Sequence, residues 1–93
     1  MMITLTRTGG FTGIPMKKTI DTQKLLPEEA KQIEDLVLTS NFFTFKEPRV
    51  KNSPDRFTYT ISIEHNALSR TLRINENSLT APLKAVIGCL EKI

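Results

Sequence analysis

Residues 57–64 read Phe-Thr-Tyr-Thr-Ile-Ser-Ile-Glu, apolar and polar in strict alternation. A period of two puts Phe57, Tyr59, Ile61 and Ile63 on one side of a strand and Thr58, Thr60, Ser62 and Glu64 on the other. Such a strand belongs in a sheet covered on one face only, which favours antiparallel pairing. Shorter segments repeat the pattern. Ile3 and Leu5 alternate with Thr4 and Thr6 over residues 2–7, and Leu72 and Ile74 point inward between Thr71 and Arg73 over residues 69–74. His65-Asn66-Ala67-Leu68 reads as the turn of a hairpin. Residues 15–20 supply a fourth strand, and Pro15 near its start suggests a sheet edge, where a missing N–H does no harm.

Two segments change period. Leu26-Pro27-Glu28-Glu29 opens a helix, with proline where no N–H is needed and glutamates at the positive end of the dipole. Ala30, Ile33, Leu36 and Val37 then share one stripe, opposite Lys31, Gln32, Glu34 and Asp35, and the helix is expected to end near Thr39-Ser40-Asn41. The aromatics Phe42, Phe43 and Phe45 follow at once and suit the closing of one end of a core. Residues 46–55, with Pro48, Asn52, Pro54 and several charges, read as an exposed loop. A second helix begins at Ser78 or Thr80, with Pro82 in its first turn. Its stripe is Leu79, Leu83, Val86, Ile87 and Leu90, weakened slightly by Gly88.

The expected order is ββαββα. The expected fold is α+β, a four-stranded antiparallel sheet with two helices packed on one face. At 93 residues the chain is sized for one domain, 1–93, with a modest core. The composition, 39% hydrophobic and 25% charged, is that of a globular chain. No apolar run approaches the roughly 18 residues of a membrane span, and the N-terminus lacks a signal-peptide pattern. One cysteine, Cys89, excludes an internal disulfide and suits a reducing compartment. Cytoplasmic residence is the expectation.

The inventory for catalysis is thin. One histidine and one cysteine cannot build a histidine-rich zinc site or a CxxC pair. His65 falls in or beside a turn, Cys89 lies in the last helix, and nothing in the sequence joins them. Glu28 and Glu29 are explained by the helix start, Glu34 and Asp35 by its polar face, and Asp55 by turn chemistry. No catalytic, cofactor-binding or metal residue is assigned, and no cofactor is expected. The chain reads as a non-enzyme.

That leaves the segment Arg7-Thr8-Gly9-Gly10-Phe11-Thr12-Gly13-Ile14, with three glycines and a phenylalanine between the first two strands. Gly9-Gly10-x-x-Gly13 is no phosphate cradle, because an extended stretch with proline follows it rather than a helix. Glycine is needed where φ is positive or where another backbone comes close. Phe11 has two uses open to it, folding back onto Leu26 or Phe43 or standing out as an anchor for a partner. Arg7, on the side of Ile3 and Leu5, either pairs with Asp55 or a helix acid or touches that partner.

The run Ile3-x-Leu5-x-Arg7-Thr8-Gly9-Gly10-Phe11-Thr12-Gly13-Ile14 resembles the N-terminal signature of the emfourin family. The likeness continues through Leu26-Pro27-Glu28-Glu29-Ala30, the Phe42-Phe43 pair, Asp55-Arg56-Phe57-Thr58-Tyr59 and a short apolar C-terminal helix, and so spans nearly the whole chain. Emfourins are small cytoplasmic inhibitors of thermolysin-like zinc metalloproteases of the protealysin type. The resemblance implies a non-covalent, competitive block of a protease cleft. Arg7, Gly9, Gly10, Phe11, Thr12, Gly13 and Ile14 are the expected protease-contacting residues, with residues 45–55 as rim. Standard inhibitor interfaces bury about 1,600 Å² in total, within reach of a chain this size.

The competing reading is a nucleic-acid-binding module. Net charge is +3, and an open, threonine-rich sheet face would lay Arg73, Thr58, Thr60 and Lys18 against a phosphate backbone. Single-strand binders usually put aromatics on that face, whereas Phe57 and Tyr59 fall on the apolar side. The pattern argues against nucleic acid.

Overall fold

The computed structural model describes residues 1–9, 15–46 and 56–93. Residues 10–14 of the glycine segment, and residues 47–55 of the stretch read as an exposed loop, lie outside that set. Among the described residues, four strands and two α-helices follow one another as β1 (Met2–Gly9), β2 (Met16–Asp21), α1 (Pro27–Thr39), β3 (Phe57–His65), β4 (Leu68–Asn75) and α2 (Ala81–Glu91). Single 3-10 turns at Thr22–Lys24 and Glu76–Ser78 precede the helices. The strands form one antiparallel sheet in the order β2-β1-β3-β4, so the expected ββαββα fold is what forms.

Register follows from the alternation. Ile3 faces Ile63 and Ile20 across its two neighbours, and Leu5 faces Ile61. Directly opposed residues project to the same side, so this pairing gathers Ile3, Leu5, Ile20, Tyr59, Ile61, Ile63, Leu72 and Ile74 on one face. All are buried. Ile33 and Val37 of α1 and Leu83, Val86, Ile87 and Leu90 of α2 complete one core with them. Threonine and serine occupy most of the other face, with Met2, Lys17, Asp21, Glu64 and Arg73. On it, Ser62 and Thr71 share a cross-strand hydroxyl bond of 3.0 Å.

Local signals set the element ends. Pro27 stands at the start of α1 with Glu28 and Glu29 in its first turn. Asn41, at φ +56, takes the left-handed conformation that stops that helix. The chain then turns inward at Phe42, which is fully buried, with Phe43 set edge-on to it at 5.4 Å between ring centroids. Phe43 and Phe45 pack against the core as half-buried residues, so the aromatic cluster does close one end. Arg70 Nη1 donates to the Phe42 carbonyl at 3.0 Å and ties β4 to that corner. The second helix begins at Ala81, with the Thr80 hydroxyl accepting from Leu83 N–H as N-cap. Pro15 precedes β2, an edge strand as expected.

Three details depart from the sequence reading. His65 and Leu68 are not turn residues but the last pair of the hairpin, closed by Asn66 at φ +55. The first strand runs on to Gly9 rather than stopping at Arg7. Lys18 is not on the open face; it opposes Leu5 on the helix side, and its ammonium donates to the Ile93 carbonyl. Lys18 is half-buried there, as suits a side chain with an apolar stem and a charged tip.

Candidate functional site

Gly9 is the last residue of β1 and opposes Phe57, the first of β3. Its φ of +91 is a conformation that L side chains rarely adopt, and a Cβ built on it would stand 2.5 Å from the Arg56 carbonyl oxygen. Both facts require glycine here. The backbone of β1 and the residue entering β3 meet closely because there is no side chain between them. The two connections that begin and end at this place, residues 10–15 and 46–56, are therefore anchored on neighbouring strands at one end of the sheet.

Behind this edge stands Arg7. It points to the helix side, opposite Tyr59 on β3 and Met16 on β2. Its guanidinium carbon lies 4.6 Å from the centroid of the Phe57 ring, a cation–π contact. Nη1 is 3.7 Å from Glu91 Oε2 at the end of α2, and Nη2 is 3.6 Å from Met16 Sδ. Of the two intramolecular partners offered by the sequence, the helix acid is the one observed; Asp55 lies outside the described residues. The phenol of Tyr59 is pushed above its ordinary pKa of 10.0, first by burial and then by the Glu91 charge, while its hydrogen bond to Arg7 and the arginine charge oppose the rise. Tyr59 thus stays neutral at physiological pH.

The start of β3 has a second hold. Phe57 N–H donates to Glu76 Oε1 at 3.1 Å, so a carboxylate from the turn before α2 satisfies the strand's first donor. Among the expected site residues, then, the structure places Arg7 and Gly9 at one sheet end; Gly10, Phe11, Thr12, Gly13 and Ile14 lie outside the described residues. Met16, Glu76 and Glu91 are supporting residues that the sequence reading does not single out, and Phe57 appears there only as an apolar-face strand residue and part of a motif. One signal pointed to them: an arginine with inward parity at a strand end needs a partner to offset its partial burial.

Elsewhere, the described residues line concavities. A groove of about 470 Å³ between the helices is lined by Glu29, Gln32, Leu36, Gly88, Cys89 and Lys92 among others, and His65 is not part of its lining. A smaller hollow of about 250 Å³ lies among Val37, Leu38, Phe43 and Leu68. Among the described residues, no three His, Cys, Asp or Glu side chains are grouped to hold a metal ion, and no helix is long and apolar enough to cross a membrane.

Among solved structures the chain is similar to emfourin (M4in) from Serratia proteamaculans, described as an M4 family peptidase inhibitor. The identity is 23% over 89% of this chain and 81% of that one, with a TM-score of 0.48. No curated protein matches the chain. The family model for emfourin matches residues 5–91, all but the two ends. The chain belongs to the emfourin family.

Proposed function

We propose that this protein, as one inhibitor domain over residues 1–93, is a cytoplasmic, non-enzymatic inhibitor of a thermolysin-like zinc metalloprotease. It blocks the active-site cleft competitively and without a covalent bond. Family membership supports the class of activity. The observation that carries the mode of action is the Gly9–Arg56 approach, which gives the glycine segment a fixed point of departure. The proposed contact set is Gly9, Gly10, Phe11, Thr12, Gly13 and Ile14, and Arg7, the other residue expected there, stands behind it on the helix side of β1. A segment with one end already fixed on a strand has less freedom to lose when a cleft receives it, which favours tight binding.

The test is titration of thermolysin and a protealysin-type enzyme with the purified protein. Inhibition is expected near one inhibitor per enzyme and is relieved by competing substrate. Full protease activity at micromolar protein, across several such enzymes, refutes the assignment. The nucleic-acid reading has less behind it. Lys17 and Arg73 flank the open face, but Asp21 and Glu64 share it, and among the described strand residues no aromatic stands there.

A further inference from the structure

We propose that Arg7 is a positioning residue, which braces the inhibitory edge through Glu91 and Phe57 rather than through the protease. One guanidinium reaches four elements: it belongs to β1, stacks on the first residue of β3, meets the first residue of β2 and pairs with the end of α2. These are the strand ends from which residues 10–15 and 46–56 depart. The planar fork of arginine can stack on a ring and hold a carboxylate together, and a lysine in its place keeps the charge but not the geometry. Arg7 and Glu91 retain 29% and 35% side-chain exposure, so the ion pair contributes little to global stability. Its effect falls on the local order of the edge.

This inference rests on the inhibitor reading, so its test uses a double-mutant cycle on wild-type inhibition together with a readout that needs no protease. Inhibition constants and dissociation rates are measured for wild type, Arg7→Lys, Glu91→Gln, the double variant, and Phe57→Leu as an independent removal of the stack. Bracing through Glu91 predicts a roughly threefold loss for Glu91→Gln, a roughly tenfold loss for Arg7→Lys, and no further loss in the double variant. Faster dissociation accounts for each loss, and the melting temperatures remain near wild type. Amide exchange at Thr8 and Phe57 speeds up in the same variants without any protease present. A wild-type affinity in Glu91→Gln, or losses that multiply in the double variant, overturns the inference and makes Arg7 a direct contact. Unchanged amide exchange overturns it as well. Absence of inhibition by the wild type defeats the inhibitor reading, and the exchange data then decide the brace by themselves.

Discussion

The carbonyl oxygen of Arg56 occupies the space that a side chain on Gly9 would need, 2.5 Å from the position of its Cβ. The obstacle is backbone, so it cannot rotate aside as the tip of a flexible side chain would. Gly9→Ala therefore combines an unfavourable positive φ with a clash at the β1–β3 junction. The expected cost is about 2 kcal/mol or more, a fall in melting temperature of roughly 10 °C for a domain this size. Denaturant unfolding measures it, and a change under about 0.5 kcal/mol contradicts this geometry.

Phe42 and Phe43 are neighbours in sequence with different work. Phe42 is 1% exposed and surrounded by core, whereas Phe43 is half-buried and touches Phe42 with its ring edge. Phe42→Ala leaves a cavity and is expected to cost about 3–5 kcal/mol, a large part of what holds a small domain together. Phe43→Ala gives up an edge-to-face contact and partial burial, about 1 kcal/mol. Equal costs for the two would mean that the inward turn after Asn41 is misplaced.

Tyr59 gives the protein a sensitivity to alkali. Its folded pKa is raised above 10.0 by burial and by Glu91, so the folded state holds the phenolic proton more firmly than the unfolded chain does. This contribution is fully present below pH 10.0 and is lost as pH rises through the folded value. Wild-type stability should therefore fall between pH 9 and pH 11, and part of that fall should disappear in Tyr59→Phe. Unfolding free energies at the two pH values check it; identical pH dependence in both proteins removes Tyr59 as the cause.

Much of this fold is legible in single residues. Alternation through Phe57, Tyr59, Ile61 and Ile63 set the buried face, and parity alone placed Ile3 and Leu5 beside them. Pro27 and Asn41 bracket the first helix because each has a conformational limit that can be read from its type. What failed was reading a polar residue as an outward one. Lys18 has inward parity, in step with Ile20, yet its charge suggested the open face; its apolar stem suits the half-buried place it takes on the helix side. His65 and Leu68 read as turn residues from the sequence, yet they pair across the strands, because Asn66 and Ala67 suffice to close the hairpin. The partners of Arg7 were hidden for another reason. Glu91 lies far along the chain, and only the path of α2 across the sheet brings it within 3.7 Å.

Phe11 is the residue on which the proposed mode of inhibition turns. Residues 10–15 join Gly9 to Met16, whose sheet partners are Phe57 and Arg7. On the helix side, Phe42, Tyr59 and the two helices contribute to the core among the described residues. An anchor role for Phe11 predicts that Phe11→Ala weakens inhibition by roughly 100-fold, the effect of losing an aromatic hot spot, with an unchanged denaturation midpoint. A core role predicts the reverse, a midpoint that drops sharply because a large buried ring has gone. Measuring both quantities on the one variant separates the two. Glycine at position 9 is required in either case, but only the first outcome makes the segment after it the working part of an inhibitor.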